Sequence, residues 1–324
     1  MKRHLGAIAI AGLSLLIAGC SSTAAETNDQ VPTSSIAQAA STTTVPAEMD
    51  EGPANDAVSP PSAIISLSPT ATEMLYAIGA GEAVIAVDDY SNYPPAAIDK
   101  QPGISGYEPN VEAILALGAD LIITDGTNPD LIDAFERAGV ANWAGPASVT
   151  IDDTFAQLLE LGSVTGRLDA AEALVGEMKA DLDDLTARIA ALPASAEPLT
   201  YYHELDSTYY SVTSDTFIGS TYSLLGLRNI ADLAEGESYG YPQLSAEFIL
   251  DKDPDLIFLA CTVYCGETPE SVTARPGWDS LSAVSAGHVF PLDDDTASRW
   301  GPRVIDHMAM VVDAVEMVLG AGAE

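Results

Sequence analysis

The chain has 324 residues, of which 48 are acidic and 12 are Lys or Arg, so its formal net charge at pH 7 is −36. This charge argues against a nucleic-acid partner, because a phosphate backbone attracts the opposite sign. It also argues mildly against polyanionic ligands such as ferric catecholates, which usually need clustered Arg or Lys. Like charges on the surface mainly aid solubility and do not identify a ligand.

The first twenty residues predict an export signal. Lys2 and Arg3 form a basic start, and an apolar core from Leu5 to Ile17 is too short to span a bilayer. The ending Leu-Ile-Ala-Gly-Cys resembles the bacterial lipobox, which implies that Cys20 is lipidated and becomes the mature N-terminus. Acyl chains such as palmitate would then anchor the protein at the outer face of the cell membrane, or on the periplasmic side if there is an outer membrane. The alternative is an ordinary secretory signal.

Residues 21–61 are rich in Ser, Thr, Ala and Pro and show no apolar period. Such a segment buries too little surface to offset its ordering entropy, so we expect a disordered tether. The remaining length suits two lobes better than one core. We assign residues 62–165 to an N-terminal α/β lobe, 166–194 to a linking helix and 195–324 to a C-terminal α/β lobe.

The N-terminal lobe alternates predicted strands and helices, a pattern typical of a layered parallel α/β sheet. Its strands are predicted at residues 63–67, 83–87, from 121 and 140–143. After the first strand, Pro69 suits a first helical turn, and Thr70 with Glu73 fits a capping box. The loop 88–95 follows the second strand, and a short helix at residues 131–139 precedes the last.

Residues 151–192 have a helical pattern that we expect to break at Gly162 and Gly166. The second piece, residues 169–192, carries apolar residues at helical spacing, and Pro193 ends it. A helix of this length between two α/β halves predicts a rigid spacer. The second lobe then begins with a strand at residues 199–202 and a helix at residues 216–226.

An internal repeat relates the two lobes at a constant offset of 135 residues. Glu112 and Glu247 are each followed two and three positions later by Ile-Leu, and eight positions later by Asp-Leu-Ile. Each copy predicts a short helix headed by a carboxylate, a turn and a buried parallel strand. The repeat therefore predicts one glutamate at the same place on each lobe.

Cys261 and Cys265 lie four residues apart, just after the second copy's strand. An exported protein is in an oxidising compartment, so a disulfide closing this small loop is the leading interpretation and a metal site the weaker one. The four histidines, His4, His203, His288 and His307, show no metal-ligand spacing. We expect no metal site and no cofactor.

Four stretches carry a family resemblance: IISLSPTATEMLYAIGAGEAVIAVDDYSNYPP, EPNVEAILALGADLII, YPQLSAEFILDKDPDLIFL and DDDTASRWGPR. They resemble the cobalamin-binding proteins of ABC importers, and more broadly the class that also binds ferric siderophores and haem. The resemblance covers residues 62–320. It implies an α/β fold of two Rossmann-like lobes joined by a single long rigid helix, the helical backbone of this class of solute-binding protein.

The resemblance also implies roles for individual residues. Glu112 and Glu247 match the lobe-surface glutamates that dock onto arginines of the permease dimer. Either one alone would be better explained as an acid favoured at a helix N-terminus, but the paired arrangement favours docking. Tyr90 matches a position at which the family has an aromatic ligand contact. Tyr241 replaces a tryptophan of the family's ligand cleft. The remaining implied contacts are Tyr107, which lies beside Gly106 where the family has a tryptophan, and Asp295 with Arg299 at the cleft edge.

The resemblance therefore implies the substrate-binding subunit of an ABC importer, which captures cobalamin or a related corrinoid and performs no chemistry on it. A ferric hydroxamate siderophore or haem is the alternative ligand. An enzyme of another class, a cell-surface glycosidase, would use paired acids such as Glu108 and Glu112, or residues 293–295. We expect a monomer whose partners are the permease dimer with its ATPase subunits.

Overall fold

A computed structural model describes residues 59–193, 197–234, 236 and 238–320. The predicted signal, Cys20 and nearly all of the predicted tether lie outside these residues. Within the described part, no helix has both the length and the apolar character that a membrane crossing requires.

Four parallel strands form the first sheet, in the order β2-β1-β3-β4. The strands are β1 (Ile64–Ser66), β2 (Val84–Val87), β3 (Leu121–Thr124) and β4 (Ala141–Ala144). The helices around them are α1 (Pro69–Ala77), α2 (Pro95–Ile98), α3 (Val111–Ala116) and α4 (Pro129–Arg137), with a 3₁₀ turn at Gly81–Ala83. Strands β1 and β3 are buried throughout, as parallel strands covered by helices on both faces require.

Two long helices follow the first sheet, α5 (Ile151–Val164) and α6 (Leu168–Ala191). The predicted break at Gly162 is wrong, because α5 continues through this residue. A Cβ at Gly162 would lie 2.5 Å from the Cβ of Ala171, so the glycine allows α5 and α6 to pack closely. The chain turns instead at Gly166, whose φ of +67° suits glycine.

The second sheet repeats the topology of the first, in the parallel order β6-β5-β7-β8. Its strands are β5 (Thr200–Glu204), β6 (Arg228–Asn229), β7 (Leu256–Leu259) and β8 (Val289–Pro291). The later helices are α7 (Phe217–Leu224), α8 (Ala246–Lys252), α9 (Pro269–Thr273), α10 (Ser282–Ala286) and α11 (Val304–Gly320), with 3₁₀ turns at Ile230–Leu233 and Trp278–Ser280.

The aspartates of the sequence repeat have the same structural role in both lobes. Asp120 accepts hydrogen bonds from the backbone N–H groups of Ser62 (2.8 Å) and Ala63 (3.0 Å), just before β1. Asp255 likewise accepts from the backbone N–H and the hydroxyl of Thr200, both at 2.7 Å, at the start of β5. Each aspartate thus ties the start of the third strand of its sheet to the start of the first.

One apolar core extends through both lobes. It includes Ile64 on β1, Met178 and Leu185 on α6, Tyr201 on β5 and Val311 on α11, all of them buried. At about 1.5 Å per residue, the 24-residue helix α6 extends roughly 36 Å along this core. The lobes are therefore joined by packed side chains as well as by a covalent link.

Candidate ligand-binding cleft

The carboxyl ends of β2 and β3 and the start of α1 surround an open hollow with an empty volume of about 780 Å³. The segment between β8 and α11 completes its lining with Arg299 and Trp300, so both lobes contribute to it. Ligands of open α/β sheets bind beyond the carboxyl ends of the strands. This hollow is therefore the candidate site.

Exposed tyrosines line the hollow. Tyr90, after β2, is 60% exposed, and Tyr107, before α3, is 85% exposed; both line the hollow. Tyr241 is 49% exposed and lies on the segment between β6 and α8 of the second lobe, and it does not contribute to this lining. The structure thus brings two of the three predicted aromatic residues together.

Arg299 is held by groups from both lobes. Its Nη1 donates to Glu73 Oε1 (2.8 Å) and to Asn92 Oδ1 (2.9 Å). Its Nη2 donates to Asp295 Oδ1 (2.8 Å) and to the carbonyl oxygen of Tyr90 (3.2 Å). Asp295 also accepts a 2.8 Å hydrogen bond from the Asn92 side-chain amide. Arg299 and Asp295 therefore fix the Tyr90 loop against the second lobe.

Glu73 is the buried centre of this network, and its role differs from the predicted one. Its carboxylate accepts from Arg303 Nε (2.8 Å) and Nη2 (2.6 Å) as well as from Arg299. The predicted capping box of Thr70 and Glu73 is wrong, because Ser68 is the N-cap of α1 and accepts from the backbone N–H of Ala71. Hydrogen bonds to Glu73 raise the pKa of Arg303.

A buried carboxyl lies at the floor of the hollow. Asp88 is 1% exposed, and its Oδ1 accepts from the backbone N–H groups of Tyr90 (2.9 Å) and Ser91 (2.8 Å). Its Oδ2 has no hydrogen-bond partner among the described residues. Burial raises the pKa of this carboxyl. A Cβ at Gly106 would lie 2.8 Å from Oδ2, so a side chain at position 106 would require Asp88 to move.

The repeated glutamates occupy equivalent exposed positions. Glu112 lies in the first turn of α3, capped by Asn110, and Glu247 in the first turn of α8, capped by Ser245. Within the described ranges, neither carboxylate forms an ion pair or a hydrogen bond with the rest of the chain. Both helices begin at the carboxyl ends of their sheets, the edge on which the hollow lies.

Cys261 and Cys265 form a disulfide bond, with their Cα atoms 5.1 Å apart. The five residues from Cys261 to Cys265 are called the disulfide loop below. The loop follows the carboxyl end of β7. The segment between β8 and α11 that contains Arg299, called the Arg299 segment below, follows the carboxyl end of the neighbouring strand β8.

A family model described as periplasmic binding protein matches residues 64–296. The chain belongs to this periplasmic binding protein family.

Individual relatives agree with this membership. A protein of Halobacterium salinarum named cobalamin-binding protein is 29% identical over 264 residues, which cover 79% of this chain and 70% of the relative. An uncharacterized ABC transporter substrate-binding lipoprotein of Bacillus subtilis is 25% identical over 260 residues, covering 79% and 80%. The crystal structure of the periplasmic vitamin B12 binding protein of Vibrio cholerae superposes with a TM-score of 0.66 at 27% identity, covering 80% of this chain and 98% of the other.

The predicted fold is confirmed by these comparisons together with the two parallel sheets and the long helix α6. These relatives are named as binding proteins. Sequence reasoning missed Glu73 and Arg303, because an acid in the first turns of a helix is usually explained by capping. The segment Arg-Trp-Gly-Pro-Arg could have indicated this pairing, because its two arginines lie four residues apart and can share one buried carboxylate.

Proposed function

We propose that this periplasmic binding protein is the ligand-capturing subunit of an ABC importer and that its ligand is cobalamin or a related corrinoid. The observation that carries the proposal is the pair of exposed tyrosines, Tyr90 and Tyr107, on a hollow formed by both lobes. Relatives named for cobalamin or vitamin B12 binding support the same ligand class.

The lining of the hollow suits a large, amphipathic and largely uncharged ring system. Aromatic faces supply apolar contact, and a few fixed polar groups orient the ligand. Arg299, the cation in the lining, is already engaged by Glu73 and Asp295. A strongly anionic iron chelate therefore finds little free positive charge in this hollow.

The two alternative ligands are a ferric hydroxamate siderophore and haem, and the test below distinguishes them from a corrinoid. A hydroxamate siderophore carries less negative charge than a catecholate and fits the same kind of cleft. Haem would need a ligand for its iron. His203 and His307 are buried in the core. His288 lies just before β8, at the amino ends of the strands, whereas the hollow lies at their carboxyl ends. A haem iron would thus depend on a tyrosine of the hollow.

In the proposed site, Tyr90 and Tyr107 contact the ligand from the first lobe and Tyr241 from the second. Asp295 and Arg299 contact its polar edge and hold the Tyr90 loop in place. Burial leaves Arg299 with an 11% exposed side chain and Asp295 with 19%, so each offers the ligand only a small surface. Their main contribution is to fix the aromatic contacts.

Glu112 and Glu247 are the proposed docking points for the permease. Equivalent helices present them, both are exposed, and both lie at the cleft edge of their sheets. A permease dimer with two-fold symmetry requires one such carboxylate on each lobe. In this arrangement residues 62–165 and 195–324 are the two lobes, 166–194 link them, and the tether and lipidated Cys20 hold the protein at the membrane.

Purification of the protein from its native cells tests the proposal. We expect absorbance bands of a corrin ring and a cobalt-containing molecule in the mass spectrum of the released ligand. A haem spectrum or a ferric hydroxamate mass would replace the corrinoid with the corresponding alternative. A protein that carries none of these and fails to copurify with a permease and its ATPase would contradict the importer function.

A further inference from the structure

The disulfide loop has a tightly fixed backbone. The Asp294 carboxylate, which is buried, accepts hydrogen bonds from the backbone N–H groups of Thr262 (2.7 Å), Val263 (3.0 Å) and Tyr264 (2.9 Å). The hydroxyl of Thr262 also donates to the carbonyl oxygen of Leu292 at 2.7 Å. Burial opposes ionisation of Asp294, but these three N–H groups prevail and lower its pKa, so the carboxylate stays charged.

Two apolar side chains project from this fixed backbone into solvent. Val263 is 70% exposed and Tyr264 is 68% exposed. Neither belongs to an apolar core of the described residues, so the disulfide and the three hydrogen bonds do not serve core packing. A rigid loop that presents an aromatic ring is suited to binding, because little conformational freedom is lost when a ligand packs on it.

The position of the loop relates it to the hollow. Asp294, which holds the loop, immediately precedes Asp295, which bonds Asn92 of the first lobe. Partial burial and then the charge of Asp295 raise the pKa of the Tyr264 phenol, and the charge of Arg299 opposes them. The loop therefore lies where the second lobe meets the Tyr90 side of the hollow.

The order of strands in the second sheet indicates which of Tyr264 and Tyr241 lies nearer the Arg299 segment. Tyr264 follows β7, which is next to β8, the strand that leads into the Arg299 segment. Tyr241 lies on a segment whose backbone hydrogen-bonds with residues 209–213, which follow β5, and β7 separates β5 from β8. Tyr264 is thus the second-lobe aromatic residue better placed to face Tyr90.

We propose that Val263 and Tyr264 form the part of the second-lobe wall that faces Tyr90 across the hollow, beside the contact from Tyr241, and that the disulfide loop is a determinant of ligand specificity. This inference rests on the proposed function. The ligand it selects has a conjugated or apolar ring face that packs between Tyr90 and Tyr264, as a corrin ring does. In this arrangement the phenol of Tyr264 shares the polar edge of that ligand with Asp295 and Arg299.

Calorimetric titration of the full-length protein with cyanocobalamin tests the inference. Tyr264→Ala is expected to weaken binding about tenfold, because it removes an aromatic contact and the area it buries. Tyr264→Phe is expected to retain most of the affinity. Tyr239→Ala is the matched control, because this tyrosine is 93% exposed on the same lobe, and it is expected to leave the affinity unchanged.

A second measurement detects the contact without any substitution. Hydroxyl-radical footprinting read by mass spectrometry is expected to show that cyanocobalamin protects Tyr264 and leaves Tyr239 reactive. Unchanged affinity in Tyr264→Ala, or an unprotected Tyr264, would overturn the inference while loss of binding in Tyr90→Ala still upheld the proposed function. Failure of the unmodified protein to bind cyanocobalamin would overturn the corrinoid proposal and this inference with it.

Discussion

Arg299 Nη1 and Glu73 Oε1 form a 2.8 Å ion pair that links the segment before α11 to helix α1 of the first lobe. Their side chains are 11% and 2% exposed, so water screens the pair little. Arg303 binds the same carboxylate, and its guanidinium lies 4.1 Å from the centre of the Tyr93 ring. Two arginines of one lobe thus enclose one glutamate of the other.

Glu73→Gln is expected to lower the free energy of unfolding by about 3 kcal/mol, because it leaves two partly buried guanidinium groups without their shared carboxylate. Urea unfolding measures the change. The control is Glu197→Gln, which breaks an ion pair whose side chains are 77% and 56% exposed. That substitution is expected to cost less than about 1 kcal/mol. Equal effects of the two substitutions would show that the Glu73 cluster does not stabilise the fold.

We expect the two lobes to rotate only slightly relative to each other on ligand binding, rather than to close widely over the ligand. The continuous core along α6 and the Glu73 cluster both oppose rotation of one lobe against the other. Solution scattering with and without saturating cyanocobalamin measures the radius of gyration, which we expect to stay constant within error. A clear decrease would mean that the cleft closes by a hinge that this core does not prevent.

Stability is expected to fall as the pH drops from about 6.5 to about 4, because two histidines are buried in neutral form. Burial lowers the pKa of His203 to about 3 and that of His307 to about 4. The unfolded chain takes up protons at both histidines near pH 6.5, whereas the folded chain does not, so protons favour unfolding over this range. Asp88 and Glu204, whose pKa values are raised by burial, act in the opposite direction.

The variant His307→Leu isolates one of these contributions. Both ring nitrogens of His307 lack a partner among the described residues, so leucine removes two unsatisfied polar atoms. Urea unfolding at pH 7 and pH 5 is expected to show a stability advantage of the variant that is larger at pH 5. An advantage that does not change with pH would mean that His307 does not titrate as its burial requires.

The double variant Glu112→Ala with Glu247→Ala is expected to bind ligand normally but to support little uptake, with each single variant intermediate. Both carboxylates are exposed and outside the hollow, so the loss falls on permease docking. Asp130→Ala with Glu270→Ala is the matched control, because these exposed acids occupy the first turns of α4 and α9. Loss of ligand binding in the Glu112/Glu247 variant would refute the docking assignment.

Features encoded by local patterns were predictable from the sequence. Helix α6 was predicted at residues 169–192 and spans Leu168–Ala191, because its apolar spacing and Pro193 define it locally. The repeat around Glu112 and Glu247 likewise predicted two equivalent helix-strand units.

Long-range contacts were not predictable from the same patterns. Glu73 and Arg303 are 230 positions apart in sequence, and no local period relates them. Gly162 appeared to be a helix breaker because its packing partner, Ala171, belongs to the next helix. Asp88 and Gly106 constrain each other only because the fold brings the two loops together. These pairs shape the cleft, so the sequence alone left its lining incomplete.

Corrinoid capture is tested most directly by calorimetric titration of the protein with cyanocobalamin and, in parallel, with ferrioxamine. We expect cyanocobalamin to bind more tightly, because the hollow offers aromatic faces and its arginine is already paired. Tyr90→Ala and Tyr241→Ala are each expected to weaken corrinoid binding about tenfold, equivalent to about 1.4 kcal/mol. Tight binding of ferrioxamine with no measurable binding of cyanocobalamin would contradict this and assign the protein a siderophore ligand.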